Sequence, residues 1–167
     1  ANDEYIDTLA RSMAGKLGGK VGIGENILIV QDTFGKIFNE GTEFQRDGSQ
    51  FDALFKDGDT YMIGGMKAFA MHTPGHTHTH VSYVLRDESG SAVGVFTGGS
   101  MLHGTTGRTD LVDDNDTVEL THAQFHSVRR LARELGDDVE VYPTHGFGSF
   151  CSATPASGDS STIGDER

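Results

Sequence analysis

The chain has 167 residues and a formal charge of −12, from 25 acidic and 13 basic side chains. That balance argues against phosphate-backbone binding, which needs a basic patch, and against docking on an anionic membrane surface. One cysteine, Cys151, excludes an internal disulfide; with no apolar run near the roughly 20 residues of a membrane helix and no signal peptide at the start, a cytoplasmic protein is expected.

Asn2 or Asp3 can cap a first helix, in which Ile6, Leu9, Ala10, Met13 and Leu17 recur at helical spacing before Gly18-Gly19. Residues 20–23 read as a short strand. Residues 25–38 read as a second helical stretch on a stripe of Ile27, Val30, Phe34, Ile37 and Phe38, weakened by Gly35. After a polar, turn-rich segment, residues 51–55 read as one turn of helix. Two apolar runs, 60–63 and 66–72, flank Gly64-Gly65 and predict a hairpin. Strands follow at 80–85 and 92–97, joined by a turn. The glycine-rich loop from 98 to 116 is of a length that often carries function.

Asp116 begins the clearest helix, with Glu119 placed as a capping-box partner. Leu120, Ala123, Val128, Leu131 and Leu135 form its predicted buried face, and Arg129, Arg130 and Arg133 lie in its second half, where cations suit the helix dipole. Gly136 stops it, and 139–142 is the last predicted strand. No repeat or linker divides the chain. The expectation is one mixed α/β or α+β domain over residues 1–152 and a polar tail over 153–167.

Histidine is the informative residue. His72-Thr73-Pro74-Gly75-His76-Thr77-His78-Thr79-His80 is dense in metal-ligand candidates, since imidazole binds zinc or iron through one nitrogen while the other donates to a neighbour. His76, His78 and His80 alternate, so an extended chain would point all three to one face. That is either a metal site in itself or one ligand followed by polar strand residues. Pro143-Thr144-His145-Gly146 sets another histidine just past a predicted strand, as a ligand or as a turn residue. In the long loop, Arg108 can grip a substrate carboxylate in bidentate fashion or pair with Asp110 to pin the loop. Cys151 reads as a small buried thiol, with a thiol near the pocket as the alternative.

Together these segments resemble the metallo-β-lactamase superfamily, in its persulfide dioxygenase and glyoxalase II-like branch. The matches are His72-Thr73-Pro74-Gly75-His76-Thr77, Phe96-Thr97-Gly98-Gly99-Ser100, Gly107-Arg108-Thr109-Asp110-Leu111 and Pro143-Thr144-His145-Gly146, in the family's order, within a likeness covering about residues 19 to 152. Residues 96–152 are similar to bacterial members joined to rhodanese-type domains. The resemblance implies an αβ/βα sandwich with metal at the sheet edge. It also implies either a single iron(II) oxidising glutathione persulfide with dioxygen, or metal ions such as zinc cleaving a glutathione thioester. By position, His76 and His145 match ligands, and Arg108 matches an arginine near the glutathione site, with Gly98, Gly99 and Asp110 shaping the loops.

Two departures stand against this likeness. The family's first motif, His-X-His-X-Asp-His, is not found, with only Asp3 at its aspartate position, so a fold incomplete at the N-terminus and covered by a second copy in a homodimer is expected. Gly99 stands where a ligand aspartate is expected. His103, His78 and His80 are the candidates for a replacement ligand, His103 foremost because it shares the loop. Three readings follow: a metal-dependent enzyme on glutathione-linked sulfur substrates, a degenerate domain without chemistry, or a metal-binding module built on the histidine array.

Overall fold

A computed structural model describes residues 16–29, 48–49, 51–111, 114–144 and 160–167. Of the first predicted helix only Lys16 and Leu17 fall in that set; they are helical, and Gly18 follows at φ 67°. The rest of that helix, most of the second and Cys151 lie outside the described residues. Although no linker is visible in the sequence, the chain divides into two units, Ala1–Phe55 and Lys56–Arg167. Among the described residues no helix is long and apolar enough to cross a membrane.

In the first unit, β1 (Gly22–Gly24) pairs in parallel with β2 (Ala53–Phe55). Both directions of the contact between Val21 and Asp52 are used: the Val21 N–H donates to the Asp52 carboxylate at 2.7 Å and the Asp52 N–H to the Val21 carbonyl at 2.8 Å. The helical turn expected over 51–55 is therefore wrong. A run this short carries no period of its own, and pairing with a strand thirty residues away decides its conformation.

The second unit holds a six-stranded sheet in the order β3-β4-β5-β6-β7-β8. Its strands are β3 (Thr60–Ile63), β4 (Met66–His72), β5 (Val81–Arg86), β6 (Ala92–Gly98), β7 (Glu140–Pro143) and β8 (Ser161–Thr162). The expected hairpin forms, with Ile63 opposite Met66 and Gly64 at φ 59° in its turn. All pairs are antiparallel except β6–β7, whose parallel pairing needs a crossover. The helix α1 (Thr117–Glu134) supplies it.

One face of the sheet presents a cross-strand row, Phe69, Val84, Val95 and Val141. These pack with Met71, Met101, Leu131, Leu135, Val139 and Ile163 in a single core. Each fully buried side chain of this kind contributes about 1.5–3 kcal/mol. The segment expected to be a polar tail is corrected at its end. Ser161–Thr162 pairs with β7, Ile163 is wholly buried, and Arg167 binds Asp137 and the carbonyls of Ala132 and Leu135 near the end of α1.

The helix buries Leu120, Gln124, Ser127 and Leu131, spaced as one stripe. Two of these are polar and unexpected; of the expected face, Ala123 and Val128 are only partly buried, with Val128 packed against the core. The expected capping box is absent: Asp116 occupies the N-cap without a side-chain cap bond, its carboxylate accepting instead from His78 Nε2 at 3.0 Å. A strut joins the other end of the helix to the sheet, where Arg130 donates to Asp57 at 2.9 Å and to the His72 carbonyl at 3.2 Å. Burial acts to raise the Asp57 carboxyl, but the Arg130 bond and charge and the His72 N–H outweigh it and hold its pKa below the ordinary value.

Candidate functional site

The site is built from two loops clamped onto α1. After β4 the chain enters Thr73-Pro74-Gly75. The Thr73 N–H donates to the His80 carbonyl at 2.9 Å, which closes residues 73–80 into a loop. Gly75 sits at φ 143° with Gln124 packed where a β-carbon would be, so only glycine fits. Ser127 Oγ donates to the Pro74 carbonyl at 2.7 Å, and Gln124 Nε2 donates to the carbonyl of Ser100 on the second loop. Gln124 and Ser127 are thus the side chains that hold both loops on the helix. Sequence reasoning missed them because their partners lie 24 and 53 residues away.

The second loop leaves β6 at Gly98, where the β6–β7 register shifts. Such an irregularity re-aims the chain at a strand end. Gly98 has φ 55°, and Gly99 is buried. The Gly107 N–H donates to the Gly99 carbonyl at 2.9 Å, so the two glycines face each other across the loop. Between them lies the His76 imidazole: a β-carbon on Gly99 would stand 2.8 Å from His76 Nε2, and one on Gly107 2.7 Å from its Nδ1.

His76 Nδ1 donates to the Arg108 carbonyl at 2.8 Å. A carbonyl can only accept, so Nδ1 carries a proton; histidines that bind a metal through Nε2 are commonly held by such a bond. The other histidines are engaged differently. His80 Nε2 accepts the Gly99 N–H at 2.9 Å. His78 Nε2 donates to Asp116, and His103 Nε2 donates to the Val141 carbonyl at 3.3 Å. Residues 75–79 run through bends and a turn, so the extended chain that would set His76, His78 and His80 on one face does not form. Among the described residues no three His, Cys, Asp or Glu side chains come together as a metal group. His145 lies outside the described residues. Thr144 before it donates its N–H to the Gly98 carbonyl at 3.3 Å, which brings the end of β7 to the Gly98-Gly99 turn.

Arg108 forks onto Asp110, Nε to Oδ1 at 2.8 Å and Nη2 to Oδ2 at 2.7 Å. The Arg108 hydrogen bonds hold the Asp110 carboxyl below its ordinary pKa. The loop-pinning pair is therefore present, and a substrate carboxylate would have to exchange with Asp110 or use the remaining N–H groups. Beside this loop opens a cleft of about 770 Å³, whose walls include Arg108, Thr109, Thr121, Phe125 and Arg129. Phe125 is 55% exposed, with the Arg129 guanidinium 5.3 Å from its ring centre. The signal for both was an aromatic and a cation lying off the apolar stripe of α1.

No family model matches the chain. Glyoxylase B2 of Dictyostelium discoideum is 36% identical over 128 residues, 77% of this chain and 41% of that protein. The mitochondrial persulfide dioxygenase ETHE1 of Homo sapiens is 32% identical over 107 residues, 64% of this chain and 39% of that protein. The chain thus spans about two fifths of the length of these curated relatives. Among solved structures, a metallo-β-lactamase from Staphylococcus aureus superposes at a TM-score of 0.70 with 27% identity, over 93% of this chain and 42% of that one. With these relatives and a mixed sheet crossed over by a helix, the chain belongs to the metallo-β-lactamase superfamily.

Proposed function

We propose that this chain carries the metal pocket of an enzyme acting on glutathione-linked sulfur compounds, a persulfide or a thioester, with His76 and His145 as ligands to iron(II) or zinc. The observation that supports this best is the His76 ring, seated between Gly99 and Gly107 with its Nδ1 proton given to the Arg108 carbonyl. His76 fits a metal ligand in its Nδ1 anchor and its constraint; Gly99, without a side chain, does not. When bound, zinc supplies a Lewis acid for thioester cleavage and iron(II) the redox capacity for persulfide oxidation. The chain's own residues do the rest. The Arg108 carbonyl keeps the His76 proton on Nδ1, and the Arg108 guanidinium orients a substrate carboxylate by partial exchange with Asp110. Glyoxylase B2 and persulfide dioxygenase as relatives support the sulfur substrate class.

The test is metal content per chain after anaerobic reconstitution with iron(II) and, separately, with zinc, for the protein and His76→Ala. Near-stoichiometric metal that the variant loses is expected. Oxygen uptake with glutathione persulfide and hydrolysis of a glutathione thioester then separate the two chemistries. No metal in either protein would overturn this reading in favour of a fold domain without chemistry. That second reading is favoured by Gly99, which has no side chain at the position where the resemblance expects a ligand aspartate.

A further inference from the structure

We propose that His80 is a positioning residue: its imidazole latches the Gly98-Gly99 turn and through it the seat of His76, without touching metal or substrate. This rests on the reading of His76 as a ligand. The hydrogen bonds fix the ring's state by proton counting. Ser100 Oγ donates its only proton to the Thr73 carbonyl at 2.6 Å, so towards His80 Nδ1, 3.2 Å away, it can only accept. Nδ1 therefore carries the proton, with Thr73 Oγ1 also 3.2 Å from it and bonded in turn to Ser82 Oγ at 2.7 Å. Nε2 is left as an acceptor, and the Gly99 N–H donates to it at 2.9 Å. Thr73, Ser82 and Ser100 are all fully buried, and His80 is partly buried beside them.

The ring also fills the space beside Gly98, whose missing β-carbon would lie 2.7 Å from His80 Cε1. The link to His76 is short. His80 holds the Gly99 N–H, the Gly99 carbonyl holds the Gly107 N–H, and the carbonyl of the next residue, Arg108, holds His76 Nδ1. The two rings meet edge to face with centres 6.4 Å apart. Binding a metal through His80 Nε2 would strip the Gly99 N–H of its acceptor in a buried turn, which is why this histidine holds the turn and His76 faces the metal.

Three measurements on the full chain test this. The ring nitrogen-15 shifts of His80 should show the Nδ1–H form in the unmodified protein. Amide exchange at Gly99 should be slow in it, faster by tenfold or more in His80→Ala, and restored in His80→Gln, whose Oε1 reaches the place of Nε2. Zinc affinity should fall about tenfold to hundredfold in His80→Ala and stay within a few fold in His80→Gln. An Nε2–H form, unchanged Gly99 exchange in His80→Ala, or equal damage in both variants would overturn the proposal. Absence of zinc binding in the unmodified protein would instead overturn the function proposed for His76, and the ring and exchange measurements would still decide the role of His80.

Discussion

Gly99→Ala tests whether the seat of His76 depends on a missing side chain. The added methyl would stand 2.7 Å from His76 Cγ and 2.8 Å from its Nε2, well inside the ~3.5–4.0 Å of an ordinary carbon contact. The ring has nowhere simple to go. On its other side Gly107 approaches as closely, and Nδ1 is tied to the Arg108 carbonyl. Forcing a methyl into such a packed place costs about 1–3 kcal/mol, and losing the Nδ1 bond about 1 kcal/mol more. Against this stands a gain of about 0.4–1 kcal/mol from a less flexible unfolded chain. The net expectation is a destabilisation of about 1–3 kcal/mol, with a changed His76 ring environment. Urea denaturation gives the first and the His76 ring nitrogen shifts give the second. A Gly99→Ala variant with an unchanged midpoint and unchanged His76 shifts would refute the reasoning. By the same geometry Gly99→Asp will not by itself add a ligand, since its β-carbon meets the same ring.

Ile163→Ala should cost about 2–5 kcal/mol in a denaturation midpoint, because Ile163 is wholly buried in the core between β7 and α1; a change below about 0.5 kcal/mol would mean that residues 160–167 are dispensable. Asp57 should make stability fall with acid. Its folded pKa is lowered, so its contribution is present above the ordinary carboxylate value of roughly 4 and lost as pH falls through the folded value. Asp57 is about half exposed, which limits this to under about 1 kcal/mol. Denaturation of the protein and Asp57→Asn at neutral and acid pH should show an advantage that disappears in acid.

What the sequence made legible was whatever is encoded locally. The hairpin of β3 and β4 follows from two apolar runs around Gly64-Gly65, and α1 from eighteen residues with a clear period. What it hid is decided at a distance. Three residues at 53–55 become a strand because 22–24 pair with them, and two at 161–162 because β7 does, with the lone Ile163 anchoring an otherwise polar stretch. Gln124 and Ser127 look like breaks in an apolar stripe, yet they donate to the loop carbonyls of Ser100 and Pro74. The three alternating histidines look like one face, but the Thr73–His80 bond bends the chain and sends each ring to a different partner.

Gly99 carries the sharpest form of this difference. In the sequence it is a missing carboxylate, measured against the ligand that the resemblance leads one to expect. In the fold it is a surface, flat enough for the His76 ring to lie on and anchored by the His80 imidazole from behind. The same absence of a side chain therefore removes one candidate ligand and fixes the direction of another. Whether the pocket works turns on how rigidly the turn presents His76, and no tally of ligand types along the chain contains that information.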